Sequence, residues 1–200
     1  MIVGRTVFLI IYEDIVVLKD YDLDIEKNSF TVLAGESGSG KSSLLNILGL
    51  LETFNSGEIF WWDYKNVKPY SKLAQRILRE KIGYLFQNFA LVEDKSTKYN
   101  LNLALNNVKE SKSRKNEIMK DALDKVELSG YLDKKIYKCS GGEQQRIVLA
   151  RLLIKPCEIV LADEPTGSLD YKNKLIVLDI LKEMQSKEKP WLLQLMIKIL

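Results

Sequence analysis

The sequence predicts an α/β fold with a parallel core sheet, an antiparallel β segment at the N-terminus and a helical lobe inserted in the middle. Two β-rich stretches, residues 3–11 and 18–25, open the chain. An apolar strand at 30–34 leads into a glycine-rich loop and a helix, and a second apolar strand at 158–162 ends in two acidic residues. Strand-loop-helix units of this kind typically build a parallel sheet.

The remaining elements follow from hydrophobic periodicity and from turn residues. In chain order we predict a helix at 42–51, a strand at 58–62, a helix at 70–80, a strand at 82–86, helical segments over 99–132 with a charged link at 109–115, a helix at 141–153 and a helix at 175–184. The mainly helical stretch between residues 88 and 155 is the inserted lobe.

Composition excludes several classes of protein. The chain has 200 residues, 46% hydrophobic and 28% charged, which is typical of a globular domain. A net charge of +3 is too small to indicate a nucleic-acid partner. The apolar stretch at 7–11 is too short for a signal peptide, and that at 191–200 is half a membrane span. If the protein works at a membrane, we expect another chain to supply the spanning helices.

The strongest motif is the glycine-rich loop, in which two glycines frame four residues before Lys-Ser. Its members, together with the next serine, are Gly35, Glu36, Ser37, Gly38, Ser39, Gly40, Lys41, Ser42 and Ser43. Glycines let successive backbone N–H groups point at an anion, and the following helix adds the positive end of its dipole. The motif predicts that Lys41 contacts the β and γ phosphates of a nucleotide and that Ser42 binds Mg²⁺. A glycine-rich turn without a ligand is the alternative.

A second motif lies at the end of the strand at 158–162. Asp163 and Glu164 follow this strand, and parallel strands end at the same edge of a sheet. We expect Asp163 to hold Mg²⁺, usually through water, and Glu164 to orient or deprotonate the attacking water.

A third motif opens the helix at 141–153. Ser140, Gly141, Gly142 and Glu143 place a serine and two glycines at a helix N-terminus, which predicts a second anion site. Two phosphate-binding loops are hard to use on one nucleotide. They are consistent with a dimer in which each loop serves a different nucleotide.

These motifs together resemble the ATP-binding domains of ABC transporters, and the resemblance covers nearly the whole chain. It implies a P-loop NTPase core with ATP and Mg²⁺ as ligands. Residues 1–87 and 156–200 would form the ATP-binding core, and residues 88–155 the helical subdomain with the signature motif. In this family Gln87 matches the glutamine that reaches Mg²⁺ and senses the membrane partner, and Asp170 lies in the segment that resembles the D-loop. Tyr12 lies where the family places an aromatic on adenine, although an ordinary strand aromatic is the alternative.

The resemblance also implies partners. A head-to-tail dimer, with itself or with a related subunit, would enclose two ATP molecules. A separate permease would dock near Gln87, so that the chain lies on the cytoplasmic face of the membrane. Within the family, the motifs resemble the branch for lipoprotein release and macrolide efflux, and most closely the group for bacteriocin export. Soluble family members of DNA repair or translation need insertions or tandem domains that do not fit in 200 residues.

The sequence departs from the family pattern in two places. Cys139 replaces the leucine that normally begins the signature, and the chain has no histidine, although the family places one after a further core strand. If residues from Lys189 onward are written with permitted codons, one base added to an A tract at Lys189 gives a frame that reads Thr-Met-Val-Ile-Ala-Thr-His-Asp, although codon degeneracy leaves freedom in this choice. We therefore expect a frameshift, and a divergent natural tail is the alternative. The C-terminal part is then truncated, a core strand is lost, ATP binds less stably and hydrolysis is impaired. A nucleotide-binding remnant without hydrolysis is therefore the alternative function.

Overall fold

The computed structural model describes residues 2–12, 15–25, 29–36, 38–163, 174–176, 179–180 and 192–195. Its β-strands are β1 (Ile2–Tyr12), β2 (Ile15–Ile25), β3 (Phe30–Thr31), β4 (Phe60–Trp61), β5 (Tyr64–Lys65), β6 (Ile82–Leu85), β7 (Ile159–Asp163) and β8 (Leu192–Leu195). Its helices are α1 (Lys41–Leu48), α2 (Lys72–Glu80), α3 (Thr97–Leu105), α4 (Lys112–Lys125) and α5 (Gly141–Ile154), with short 3-10 turns at Tyr131–Asp133 and Ile136–Lys138. Residues 174–176 and 179–180, also helical, fall in or beside the predicted helix at 175–184.

The N-terminal β segment forms an antiparallel sheet of order β2-β1-β4-β5, as predicted. Its long hairpin pairs Ile2 with Ile25 at one end and Tyr12 with Ile15 at the other. Trp61 on β4 is fully buried, and its indole N–H donates to the carbonyl of Leu48 at 2.8 Å. This bond joins the antiparallel sheet to the last turn of α1.

The second sheet is parallel, with order β3-β8-β7-β6. Phe30 pairs with Leu192, Val160 also pairs with Leu192, and Ile82 pairs with Ile159. β3 leads into the loop before α1, and β7 ends at Asp163. The sheet therefore brings the first two sequence motifs to the same edge.

The expected loss of a core strand is wrong for the described part of the chain. Residues 192–195 form β8, which lies in the middle of the parallel sheet between β3 and β7. A central parallel strand is held by main-chain hydrogen bonds and requires only a short apolar run, which Leu192–Leu195 supplies. The absence of a histidine did not bear on whether a strand forms there.

Among helices α1 to α5, four have a serine at the N-terminal cap. The hydroxyls of Ser71, Ser96, Ser111 and Ser140 each accept a hydrogen bond from the backbone N–H three residues later. Because Ser111 caps α4, that helix begins inside the stretch 109–115 that we predicted as a link. α1 is different, because Gly40 precedes it and offers no side-chain cap.

Helices α3, α4 and α5 pack around a shared apolar core that includes Leu101, Leu123 and Ile147, all fully buried. The core continues onto β6 and β7 through Leu85 and Val160. Among the helices of the described residues, none combines the length and the apolar character needed to cross a lipid bilayer.

Candidate functional site

The loop between β3 and α1 has the backbone of an anion cradle. Gly38 and Gly40 have φ of 78° and 84°, in the left-handed region that glycine adopts without strain. Gly40 takes this conformation directly at the start of α1, where no side chain caps the helix. The N-terminal N–H groups of α1 are thus available to a ligand.

Lys41 lies inside this loop, with only 8% of its surface exposed. Its ammonium donates to the carbonyl of Gly35 at 2.8 Å, to Ser39 Oγ at 2.7 Å and to the carbonyl of Glu36. A Cβ added at Gly35 would lie 3.0 Å from Ser39 Oγ and 3.6 Å from Lys41 Nζ, so the cradle closes tightly around the ammonium. A buried cation surrounded by a curled glycine loop fits a polyphosphate.

Ser42 and Asp163 meet across the two motifs. Ser42 Oγ, on α1, donates to Asp163 Oδ1, at the end of β7, at 3.2 Å. Burial raises the pKa of Asp163, and the Ser42 hydrogen bond opposes that rise. A hydroxyl and a carboxylate beside a phosphate cradle are the oxygen donors that Mg²⁺ prefers. The residues present therefore fit a Mg²⁺-nucleotide.

Gln87 leaves the same edge of the sheet as Asp163. Leu85 pairs with Ala162 in the parallel register of β6 and β7, and Gln87 follows two residues later in a turn. Its side chain is exposed. The backbone thus places Gln87 in the turn that follows β6, the strand next to the one that carries Asp163.

A hydrogen-bonded chain behind α1 was not predicted from the sequence. The Tyr84 hydroxyl, on β6, donates to Asn46 Oδ1 at 2.9 Å, and Asn46 Nδ2 donates to Glu52 Oε1 at 2.8 Å. Burial, followed by the negative charges of Asp163 and Glu52, raises the pKa of Tyr84, so this hydroxyl remains a donor. No local pattern signals this contact, because Asn46 and Tyr84 are 38 residues apart.

In the third motif, at the start of α5, Glu143 forms hydrogen bonds that hold the helix N-terminus. Ser140 and Glu143 form a reciprocal capping box at the start of α5. Glu143 also accepts from the Tyr131 hydroxyl at 2.5 Å and from Lys134 Nζ at 3.1 Å. The Tyr131 hydrogen bond is the largest of the influences that lower the pKa of Glu143 to about 2. The carboxylate of Glu143 therefore faces its own helix terminus, not an open ligand site.

Arg151 links α5 to the segment that follows Gln87. Its guanidinium donates to the carbonyl of Ala90 at 2.7 Å and to that of Phe89 at 3.0 Å. Phe89 and Ala90 have φ of 64° and 46°, so the cation holds a turn that non-glycine residues rarely adopt. The sequence could have suggested a surface role for Arg151, but not this bridge.

Four predicted positions fall partly or wholly outside the described structure. Ser37, Glu164 and Asp170 lie outside the described residues, and Tyr12 ends β1 with its side chain outside the description. Ser43 lies in the first turn of α1. The ligand roles of all the predicted residues remain predictions.

The loop, the uncapped helix and the Ser42–Asp163 pair define a phosphate-loop nucleotide-binding domain. The family model described as ABC transporter matches residues 18–167, three quarters of the chain. The chain therefore belongs to the ABC transporter family and is an ATP-binding domain of it.

Named relatives agree with this membership. Over 171 residues, 86% of the chain, it is 41% identical to the macrolide export ATP-binding/permease protein MacB of Campylobacter jejuni, and it covers 27% of that relative's length. It is 38% identical over 173 residues to the uncharacterized ABC transporter ATP-binding protein MJ1508 of Methanocaldococcus jannaschii, covering 77% of that protein. The match to MacB is consistent with the predicted branch.

Solved structures confirm the fold. The dimeric structure of MJ0796, a bacterial ABC transporter cassette, superposes with a TM-score of 0.85 at 30% identity, over 99% of this chain and 88% of that one. The same TM-score holds for a dimeric, post-hydrolysis state of the MJ0796 cassette bound to ADP and Pi, at 29% identity over 96% of this chain and 86% of that one.

Proposed function

We propose that this chain binds and hydrolyses Mg-ATP and thereby drives transport by a separate membrane subunit. The observation that carries the proposal is the meeting of Lys41, Ser42 and Asp163 at one sheet edge. Lys41 would exchange the loop carbonyls for phosphate oxygens, and Ser42 and Asp163 would hold Mg²⁺. The ion, when bound, would supply positive charge beside the phosphates.

The chain's own groups carry the remaining steps of hydrolysis. Glu164 follows Asp163 directly and would orient or deprotonate the attacking water. Gln87, in the turn after the neighbouring strand β6, would contact the same water or ion. No covalent intermediate is needed, because positioning and charge stabilisation supply most of the rate of phosphoryl transfer.

Ser140, Gly141 and Gly142 would serve the ATP of a partner in a head-to-tail dimer. A Cβ added at Gly141 meets nothing within 4 Å, so this corner of α5 is open in the single chain. The dimers formed by the MJ0796 cassette support such an arrangement. If the second subunit is another copy of this chain, the two ATP sites of the dimer would be identical; if it is a related ATP-binding subunit, they would differ.

The membrane subunit would dock near Gln87, beside the helical subdomain formed by residues 88–155 and against the core formed by 1–87 and 156–200. A cavity of about 520 Å³ lies there between β6, α3 and α5. Arg151 and Lys155 line it, and burial lowers the pKa of each. Arg79 and Glu80 also line the cavity, so its charged residues carry a net positive charge, and an apolar segment with an acidic residue would complement it.

The branch offers a candidate class of cargo without fixing it. MacB relatives are named for macrolide export, which supports efflux by a related permease, with a bacteriocin or peptide as the cargo that the motifs favour. The chain would then lie at the cytoplasmic face of the membrane, held there by the permease.

A second candidate function is nucleotide binding without hydrolysis. The absence of any histidine in the chain favours it, because the family uses one to hold the attacking water. Phosphate release from Mg-ATP separates the two candidates, with Glu164→Gln as the chemically silent variant and Glu158→Gln as the matched control. Release by the unaltered chain well above that of Glu164→Gln supports an ATPase. Release equal to that of Glu164→Gln, with ATP still bound, supports the binding-only function.

A further inference from the structure

Two side chains of α1 hold this helix against two neighbouring strands. Ser42 and Asn46 are four residues apart, so they lie on the same face of α1. Ser42 bonds to Asp163 on β7 at 3.2 Å, and Asn46 accepts from Tyr84 on β6 at 2.9 Å. The position of α1 relative to the sheet therefore depends on both contacts.

Tyr84 lies on the strand next to β7, close in register to Asp163. In the parallel register Tyr84 pairs with Leu161, and Asp163 lies two residues further along β7. Since side chains alternate along a strand, Tyr84 and Asp163 project from the same face of the sheet. α1 packs on this face.

The ring of Tyr84 adds a third contact with the helix. A Cβ added at Gly49, which ends α1, would lie 2.7 Å from Cε2 of Tyr84. The hydroxyl thus contacts the middle of α1, and the ring packs against the backbone at its end. On its other side the ring stacks on Phe86, with 4.1 Å between centroids and 15° between planes.

We propose that Tyr84 is a positioning residue that sets α1 against the sheet so that Ser42 and Asp163 hold a Mg²⁺-nucleotide together. The inference rests on the proposed nucleotide function. Mg²⁺, when bound, would be held by the Ser42 hydroxyl oxygen and by Asp163, so the placement of α1 relative to β7 would decide how well both groups reach it. The Tyr84–Asn46 bond uses neither ligand group, so it keeps the distance between α1 and β7 when the site is filled.

The test compares ATP affinity with and without Mg²⁺. A fluorescent ATP analogue is titrated into the full chain in excess Mg²⁺ and in EDTA, and the ratio of the two dissociation constants measures the contribution of the ion. Tyr84→Phe keeps the ring and removes the hydroxyl. We expect it to reduce this ratio about fivefold, which is the effect of one hydrogen bond, and to leave the affinity in EDTA within about twofold.

Two further variants isolate the bond. Tyr70→Phe removes another hydroxyl near the end of α1, the one that donates to the carbonyl of Leu51 at 3.1 Å, and should leave the ratio unchanged. Asn46→Ala should lower the ratio at least as much as Tyr84→Phe, because it also removes the bond from Asn46 to Glu52. The double variant should be no worse than Asn46→Ala alone, because Tyr84→Phe then has no further bond to remove.

The outcomes separate this inference from the proposed function. An unchanged ratio in Tyr84→Phe, or equal losses of affinity in Mg²⁺ and EDTA, would overturn the positioning role alone. Failure of the unaltered chain to bind the nucleotide in either condition would overturn the proposed function and this inference with it.

Discussion

The start of α1 and the start of α5 are both helix N-termini that are rich in glycine and serine, but they differ in capping and in the charge that lies beside them. α1 begins at a glycine without a side-chain cap, and the buried charge beside it, among the residues that the structure describes, is the ammonium of Lys41. α5 begins at Ser140 with a complete capping box, and the carboxylate of Glu143 lies at its positive end. The ammonium of Lys41 thus lies at the start of α1, whereas the carboxylate of Glu143 lies at the start of α5 and binds its backbone.

This difference indicates how the two loops divide their work. In the proposed function, the first loop would exchange its internal hydrogen bonds for bonds to a polyphosphate within a single chain. The second satisfies itself, so it would contribute to nucleotide binding only as a preformed surface offered to another subunit. Glycine-serine loops at helix starts are therefore not equivalent, and the residue that neutralises each helix end distinguishes them.

The largest effect should come from Lys41→Ala. Removing a buried ammonium that would bond to phosphate oxygens costs about 3 kcal/mol, or roughly a hundredfold in ATP affinity. Calorimetric titration of Mg-ATP measures this change. Lys65→Ala is the matched control, because Lys65 is exposed and pairs with Glu58. Unchanged affinity in Lys41→Ala would remove the basis for treating this loop as the nucleotide site.

An intermediate effect should come from Gly141→Asp. Aspartate in the first turn favours the chain's own helix, but its charge would repel the triphosphate of a partner subunit. We expect ATP affinity of the single chain to be unchanged and ATP-dependent dimerisation, followed by sedimentation velocity, to weaken about tenfold, the effect of roughly 1.4 kcal/mol. Gly141→Asn has nearly the same shape without the charge. If both variants dimerise equally well, the surface around Gly141 does not face a nucleotide.

The smallest effect should come from Glu143→Gln. Loss of the charged capping bonds should lower the unfolding midpoint by about 2–4 °C, corresponding to about 1 kcal/mol. Because the folded pKa is lowered from 4.5 to about 2, the charge stabilises the fold fully above pH 4.5 and loses its effect as pH falls toward 2.

Urea unfolding of both forms at pH values from 7 to 3 measures that dependence. The difference between the unaltered chain and Glu143→Gln should be constant above pH 4.5 and shrink below it. The exposed Glu110 offers a control in Glu110→Gln, which should show no such trend. If the difference in unfolding free energy between the two forms grew as pH fell, the charged Glu143 carboxylate would not be what stabilises the start of α5.

The sequence predicted the parts of the site whose signals are local. The phosphate loop, the strand that ends at Asp163 and the serine before α5 are each contained in a short segment, and the structure has the predicted strand or helix at each place. The Tyr84–Asn46 bond, the Arg151 bridge and the partners of Glu143 join residues from different elements, and neither periodicity nor turn chemistry encodes such pairs. β8 was not predicted for a different reason: the tail lacks the family's histidine, yet its run of leucines is sufficient to pair with β3 and β7.

The place of β8 governs when the site can assemble during synthesis. β3 precedes the phosphate loop and β7 carries Asp163, and in the described sheet both strands pair with residues 192–195, which lie between them. A nascent chain that has not yet released this segment from the ribosome can pair β6 with β7 and set α1 against them, but β3 does not yet have this partner in the parallel sheet. The sheet around the phosphate loop is therefore complete only after residues 192–195 have left the ribosome and joined it.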